Sequence, residues 1–353
     1  MTRALIVVEE RLGRRSAPSW APLGVALASV ANRPLIAHVM QSVREAGAEG
    51  VVVVADHSSA AELRRALARE EEGLADVDWV ELDAPVGPVA GILAAAGVLA
   101  GERFLLHRPD GLLMRDRDAL RGALADCDGD AKMFFRPRRA VDPVALHPVP
   151  IASRSIADRA GDVVMLDRLF ALGPAIFDAL GQLDPGADGA GALLEAIQRL
   201  DKAPAGVGAE VLESWWQYSG DSHDLLEANR QILDGLEPVS LEGRWPDCRL
   251  EGRVHADPTA QIRGAFIRGP VVIGAGARIV DAYVGPYTSI GREVVVENAE
   301  VESSMLLTGS SVCHVGVRIE ASILGRGAAV ARDFRLPRAM RLLVGEGARL
   351  TLS

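Results

Sequence analysis

The chain has 353 residues, of which 49% are hydrophobic, and it carries a formal net charge of −10 at pH 7. This length is enough for about two domains, each with its own core. The negative charge argues against a nucleic-acid partner. The sequence has no apolar run long enough to cross a membrane and no basic, apolar leader segment, so we expect a cytoplasmic protein that does not enter a membrane.

The cysteines and lysines exclude further classes of chemistry. Cys127, Cys248 and Cys313 lie far apart and form no CxxC pair, so the sequence predicts neither a disulfide framework nor a zinc site. Lys132 and Lys202 are the only lysines. Any reaction that requires a lysine must therefore use one of these two.

The first two thirds of the chain alternate apolar runs with amphipathic segments, which predicts an α/β domain. Short, β-branched apolar runs are typical of strands buried on both faces of a parallel sheet, and they occur at 4–8, 51–55 and 104–106. Between the first two runs, Pro34 begins and Gly47 ends a segment whose apolar residues have helical spacing. Two further helices are predicted, at 57–75 and 88–100.

Strand and helix in alternation indicate a Rossmann-like fold with a mixed, mostly parallel sheet. Ligands of such sheets bind beyond the carboxyl ends of the strands. We therefore expect the functional residues in the loops that follow Val8, Asp110 and Trp216.

From about residue 250 the sequence becomes repetitive. Small apolar residues recur in steps of five and six, and Ile267, Val284 and Val301 stand 17 residues apart. A period of this length built from hexads predicts a solenoid with three short faces per coil. We predict a left-handed parallel β-helix of the hexapeptide type at 251–353, a linker at 236–250 and the α/β domain at 1–235.

Several motifs together resemble those of the sugar-1-phosphate nucleotidyltransferases, in particular the long glucose-1-phosphate thymidylyltransferases that carry a C-terminal left-handed β-helix. The resemblance covers nearly the whole chain. The segments that carry it are Val30–Pro34, Asp83–Gly87, Trp215–Gly220, Asp224–Arg230, Ile267–Gly274 and Tyr283–Gly291.

The resemblance implies a nucleoside triphosphate and a sugar 1-phosphate as ligands, and Mg²⁺ as cofactor. In the family, the sugar phosphate oxygen attacks the α-phosphorus in line and releases pyrophosphate without a covalent intermediate. Such chemistry depends on positioning and on cationic groups around the phosphorus.

The family's glycine-rich signature loop matches this sequence at some positions and differs from it at others. The resemblance places Gly13 on its second glycine and Arg15 on its catalytic arginine, and it puts Arg14 in the same nucleotide-binding loop. The first glycine falls on Glu9 or Glu10. A carboxylate there would repel a phosphate that glycine N–H groups otherwise bind.

Two further segments carry predicted site residues. The resemblance assigns nucleotide binding to Pro85 and Gly87. Asp110 matches the family's magnesium-binding aspartate and is therefore the candidate catalytic and metal-binding residue. An Asp-Gly turn is the alternative interpretation of Asp110.

The resemblance is incomplete at charged positions. One family lysine falls near 23–25, where all residues are apolar or glycine, and the other has no counterpart between Arg136 and Asp167. The second metal-binding aspartate falls on Tyr218, and Asp221 is a candidate replacement. Arginines that could supply the missing positive charge are Arg14, Arg15 and Arg108.

The sequence leaves three functions open. The chain is an active nucleotidyltransferase with a rearranged site, a catalytically silent homologue that binds ligands or partners, or an acyltransferase using His255 or His314 of the β-helix. Trp215 and Trp216 either stack on a ligand or pack in the core. The solenoid predicts a homo-oligomer, and an active paralogue is a further candidate partner.

Overall fold

A computed structural model describes residues 2–9, 24–68, 70, 77–84, 87–99, 101–115, 117–125, 129–138, 163–184, 186–201, 206–241, 243–332 and 334. These residues group into two compact units. The first contains the described residues up to Leu27 and from Leu35 to Gln217, and the second contains Ala28–Pro34 and the described residues from Tyr218 onward. The domain bounds at 1–235 and 251–353 remain a prediction.

The first unit is built on a seven-stranded sheet whose strands are β1 Arg3–Val7, β4 Gly50–Asp56, β5 Val77–Leu82, β6 Phe104–His107, β8 Ala131–Pro137, β9 Val163–Leu172 and β10 Val207–Val211. Their order across the sheet is β10-β8-β9-β6-β1-β4-β5. Strand β9 runs antiparallel to β6 and β8, and the other neighbours are parallel. This confirms the mixed, mostly parallel sheet predicted from the apolar runs.

Helices connect these strands where the sequence predicts amphipathic segments. Asp56 starts the second helix because its carboxylate accepts hydrogen bonds from the backbone N–H groups of Ser58 and Ser59. The predicted helix at 57–75 ends at Leu67. The predicted helix at 88–100 is divided into two at Ala95, whose backbone N–H points to the carbonyl oxygens of Gly91 and Leu93. The helices are α1 Leu35–Glu45, α2 His57–Leu67, α3 Pro88–Ala94, α4 Ala96–Leu99, α5 Arg117–Ala125, α6 Ala175–Gly181 and α7 Ala190–Asp201.

The core of the first unit covers the central strands. Leu5 and Val7 of β1 and Phe104 of β6 are fully buried in one apolar cluster with residues of α3, α6 and α7. This packing holds the carboxyl ends of β1 and β6 beside each other. None of the helices in the described ranges is long and apolar enough to cross a membrane.

The second unit is a β-helix of three stacked parallel sheets with five strands each. Ile267, Val284 and Val301 are register partners in one sheet and are fully buried. The sheets confirm the predicted left-handed β-helix. Their strands are β12 Arg249–Glu251, β15 Phe266–Arg268, β18 Tyr283–Val284, β21 Glu300–Glu302 and β24 Ile319–Glu320; β13 Val254–Ala256, β16 Val271–Ile273, β19 Thr288–Ile290, β22 Met305–Leu306 and β25 Ile323–Leu324; and β14 Gln261–Arg263, β17 Arg278–Val280, β20 Val295–Glu297, β23 Ser311–Cys313 and β26 Ala329–Ala331.

A hairpin and one helix complete the second unit. The hairpin joins β2 Ser29–Val30 to β3 Arg33–Pro34, and the helix α8 spans Ser222–Asp234. Asn229 of α8 is buried, and its Oδ1 accepts hydrogen bonds from the Ala31 N–H and the Ser289 hydroxyl, while its Nδ2 donates to the Tyr287 carbonyl. The Asn residue of the Asp224–Arg230 motif thus fastens the Val30–Pro34 motif to the β-helix, which is a structural role for both motifs.

Candidate functional site

The site residues lie at the carboxyl ends of β1 and β6, as the parallel sheet predicts. Glu9 follows β1, and Arg108 and Asp110 follow β6. The pairing of β6 with β9 continues past His107, because the Arg108 N–H donates to the Arg168 carbonyl at 2.9 Å. Strand β9 thereby brings Arg168 next to the two residues that follow β6.

These four side chains form the charged cluster of Glu9, Arg108, Asp110 and Arg168. Arg168 Nε donates to Asp110 Oδ2 at 2.9 Å, and Arg168 also binds Asp167. Arg108 Nε lies 3.0 Å from Glu9 Oε1 and 4.0 Å from Asp110 Oδ1. The exposed fraction of the Asp110 side chain is only 2% and that of Arg108 is 7%, so water screens these charges weakly.

Burial and neighbouring charges shift two pKa values in the cluster. Burial raises the pKa of Glu9, and the nearby Asp110 and Asp188 carboxylates add to the rise, while Arg108 and Arg168 oppose it. Burial alone would lower the pKa of Arg168, but the Asp110 and Asp167 carboxylates outweigh it and raise that pKa. Arg168 is therefore positively charged at every physiological pH.

Close packing against Trp215 positions the segment that contains Asp110. Gly111 begins β7 (Gly111–Leu113), which pairs antiparallel with β11 (Trp215–Gln217). A Cβ on Gly111 would lie 2.1 Å from the Trp215 ring, and the His107 ring lies 5.5 Å from the same ring, centroid to centroid. Trp215 is 1% exposed and Trp216 is 3% exposed, which favours the core-packing interpretation of both tryptophans.

Gly87, the described residue of the predicted nucleotide-binding pair, stands at the start of α3. Asp188 Oδ1 accepts hydrogen bonds from the Val89 and Gly189 N–H groups, and a Cβ on Gly87 would lie 2.1 Å from Asp188 Oδ2. The Asp188 carboxylate also contributes to the raised pKa of Glu9, so its negative charge acts on the charged cluster. The sequence did not predict a role for Asp188.

The described residues do not fit the predicted Mg²⁺ ion. Magnesium binds carboxylate oxygens and phosphates, but Asp110 Oδ2 is bound by Arg168 and its Oδ1 faces Arg108. Within the described ranges, no group of three His, Cys, Asp or Glu side chains is arranged to hold a metal ion. The assignment of Asp110 as a metal ligand is therefore not supported by its surroundings.

The other predicted residues have separate positions. Burial raises the pKa of Tyr218, and Asp224 and Asp221 raise it further, so its hydroxyl is protonated at neutral pH and is a poor replacement for an aspartate. Asp221 Oδ1 accepts a hydrogen bond from the His223 N–H and caps α8. The residues that lie outside the described part of the chain are Gly13, Arg14, Arg15 and Pro85.

Arg168 is the member of the cluster that the sequence analysis missed. A signal for it exists, because Asp167 and Arg168 interrupt an otherwise apolar strand from Val163 to Leu172. A charged pair within such a strand indicates a buried partner of opposite charge. That partner, Asp110, is 58 residues away in the chain.

Comparisons with known proteins agree with this fold. Residues 26–200 match the MobA-like NTP transferase domain. Over 99% of both chains, the sequence is 30% identical to a glucose-1-phosphate thymidylyltransferase of Streptomyces griseus. It is 28% identical to a glucose-1-phosphate thymidylyltransferase of Streptomyces antibioticus and 29% identical to a low-salt glycan biosynthesis nucleotidyltransferase of Haloferax volcanii, each over 92% of this chain and 93% of the relative.

The chain therefore belongs to the sugar-1-phosphate nucleotidyltransferase family. Its function is of the nucleotidyltransferase-like type, and the relatives are named for thymidylyl transfer to glucose 1-phosphate and for glycan biosynthesis. Members of this family generally use a divalent metal ion such as Mg²⁺.

Proposed function

We propose that this chain binds a nucleoside triphosphate or a nucleotide sugar at the carboxyl edge of its sheet and catalyses little or no nucleotidyl transfer. The observation that carries the proposal is the pairing of Asp110 with two arginines: its Oδ2 is bound by Arg168 and its Oδ1 faces Arg108. A carboxylate neutralised in this way is a weak metal ligand, and Glu9 adds a negative charge where a phosphate would approach.

The energetic argument supports the same conclusion. Each lost charge contact at a reacting phosphoryl group costs roughly 2.7–4 kcal/mol, or about two to three decades in rate. The chain has neither of the two family lysines nor the second metal-binding aspartate in the matching positions. Even with strong non-additivity, several such losses leave little turnover.

An active enzyme with a rearranged site is the second candidate. It is favoured by the full-length similarity to a glucose-1-phosphate thymidylyltransferase. In that case the reaction joins a nucleoside triphosphate to a sugar 1-phosphate and releases pyrophosphate. Arginines then supply the positive charge around the phosphorus.

Pyrophosphate release separates the two candidates. Glucose 1-phosphate is incubated with each nucleoside triphosphate in the presence of Mg²⁺, and the Asp110→Ala variant serves as control. We expect no release above the level of the variant, while calorimetry detects binding of a nucleotide or nucleotide sugar. Release that disappears in Asp110→Ala would instead establish the active enzyme.

Assembly and location remain proposals. We infer a homo-oligomer from the flat faces of the β-helix, with an active paralogue as a further candidate partner. Sedimentation that shows a 37.4 kDa monomer at every concentration would contradict this. The predicted cytoplasmic location depends on the sequence alone.

A further inference from the structure

Arg108 occupies the point at which two buried carboxylates converge. Its Nε lies 3.0 Å from Glu9 Oε1 and 4.0 Å from Asp110 Oδ1. All three atoms are buried, and none has a hydrogen bond of good geometry within the described part of the chain. Arg108 Nη2 donates a long hydrogen bond to Glu9 Oε2 at 3.4 Å, so the guanidinium lies as a positive charge between two negative ones and is bound to one of them.

Two converging carboxylates stay ionised together only with a cation between them, since buried charges of one sign repel strongly and otherwise raise the pKa of one carboxyl group. A metal ion is one solution, and a side chain is another. A divalent ion at Asp110 would lie beside both Arg108 and Arg168 and would be repelled by both. The cluster already contains its cation, supplied by the chain itself.

Arg168 leaves part of its guanidinium available to a ligand. Its Nε and Nη1 bind Asp110 and Asp167, whereas Nη2 has no partner among the described residues, and 14% of its side chain is exposed. A guanidinium of this kind binds phosphate oxygens directly. The site thus offers a phosphate an arginine contact that needs no metal.

We propose that Arg108 takes the place of the divalent metal ion in this site, so that the chain binds the phosphates of its nucleotide without Mg²⁺. The second half of this statement rests on the proposed function, because it requires that a nucleotide binds. The first half concerns only Arg108 and the two carboxylates. The experiment therefore has two independent arms.

The first arm measures Mn²⁺ binding to the full chain by the loss of the free-ion electron paramagnetic resonance signal. Wild type and Arg108→Lys, which keeps the charge, are expected to bind no Mn²⁺ at this site. Arg108→Ala removes the cation between Glu9 and Asp110 and is expected to bind Mn²⁺, with an affinity at least ten times above the upper limit that the wild-type measurement sets. The gain should disappear in Arg108→Ala/Asp110→Asn, which retains only one of the carboxylates.

A merely structural role for Arg108 predicts no gain of metal binding, so this outcome overturns the proposal. Mn²⁺ binding by wild type that is lost in Asp110→Asn overturns it as well. If Arg108→Ala does not fold in metal-free buffer, its folding is measured again with added Mn²⁺. Folding only with Mn²⁺ supports the proposal, and failure to fold with Mn²⁺ overturns it.

The second arm measures dTTP binding by calorimetry with EDTA and with Mg²⁺. We expect dissociation constants within about twofold of each other, and a loss of affinity in Arg168→Gln. Binding that requires Mg²⁺ overturns the proposal. Absence of dTTP binding under both conditions, followed by the same result with the other nucleoside triphosphates and dTDP-glucose, overturns the proposed function but leaves the first arm as the test of Arg108.

Discussion

At the scale of single residues, the ion pair of Arg168 and Asp110 offsets the negative charge of Asp110 within the site. Both side chains are largely buried, and their contact is a direct hydrogen bond. Removing one partner of a buried ion pair leaves an uncompensated charge, which costs far more than the net contribution of the pair. Stability and ligand chemistry are therefore linked through the same two residues.

Arg168→Met is expected to lower the free energy of unfolding by about 3 kcal/mol, because Asp110 loses its hydrogen-bonded cation. The double variant Arg168→Met/Asp110→Asn should lose much less, which gives a coupling energy of about 2 kcal/mol in a double-mutant cycle measured by urea unfolding. The exposed pair Arg230–Glu227 of α8 is the control and should show a coupling of less than about 0.5 kcal/mol. Equal coupling energies for both pairs would contradict the assignment.

His107 predicts a loss of stability in acid. Burial lowers its pKa to about 4, while its Nδ1 is hydrogen bonded to the Arg108 carbonyl at 2.8 Å. As the pH falls from about 6.5, the unfolded chain takes up a proton on this residue and the folded chain does not. The contribution of His107 to stability is thus complete above pH 6.5 and is lost progressively toward pH 4, by up to about 1.4 kcal/mol per pH unit.

The measurement is the urea midpoint of wild type and His107→Asn between pH 7 and pH 4.5. The asparagine amide can still donate to the Arg108 carbonyl but does not titrate, so the variant should have the flatter pH dependence. His223→Asn, at a side chain that is 81% exposed, is the matched control. An unchanged slope in His107→Asn would show that His107 is not the titrating group.

At the scale of elements, the turn from β6 to β7 is shaped by one glycine. Gly111 of β7 pairs with Gln217 of β11, and the Trp215 ring occupies the place that a side chain at Gly111 would need. The Asp-Gly sequence at 110–111 therefore reflects close packing in addition to turn formation. The backbone next to Asp110 is thereby positioned by the pairing of Gly111 with Gln217 and by its close contact with Trp215.

Gly111→Ala is expected to destabilise the first unit by about 1–3 kcal/mol, because the added methyl group overlaps the Trp215 ring. Gly122→Ala is the control, since nothing lies within 4 Å of a Cβ on this glycine of α5 and alanine favours a helix by roughly 0.5–1 kcal/mol. Urea unfolding should thus shift in opposite directions for the two variants. A neutral Gly111→Ala would contradict the packing argument.

At the scale of the whole molecule, the described residues of each unit contain an apolar cluster of their own. The cluster of the β-helix is a column in which each coil packs on its neighbours. The stability of such a stack is approximately a sum over coils and their interfaces. A substitution should therefore cost more in the middle of the column than at its end.

Two valines of this column make a matched comparison. Val284 is fully buried and pairs with Ile267 on one side and Val301 on the other, whereas Val330 is 38% exposed and lies in β26, which pairs only with β23 among the described strands. We expect Val284→Ala to cost about 2 kcal/mol and Val330→Ala less than about 0.5 kcal/mol. Thermal unfolding measures both, and similar losses would contradict a neighbour-dependent stack.

The sequence by itself determined the elements and the type of each unit. The apolar runs located β1, β4 and β6 to within about one residue, and the spacing of Ile267, Val284 and Val301 located one face of the β-helix. These features could be predicted because burial follows the local period of a strand, a helix or a solenoid coil. The motifs further indicated the family, which the comparisons confirmed.

Only the tertiary structure decided the charge of the site. Asp110 could be selected from its motif, but its partner Arg168 lies in β9 and reaches it through the pairing of β9 with β6. The contact between Glu9 and Arg108 likewise depends on β1 and β6 being neighbours in the sheet. Strand order and register are set by the packing of the whole unit, so no local pattern of the sequence contains these ion pairs.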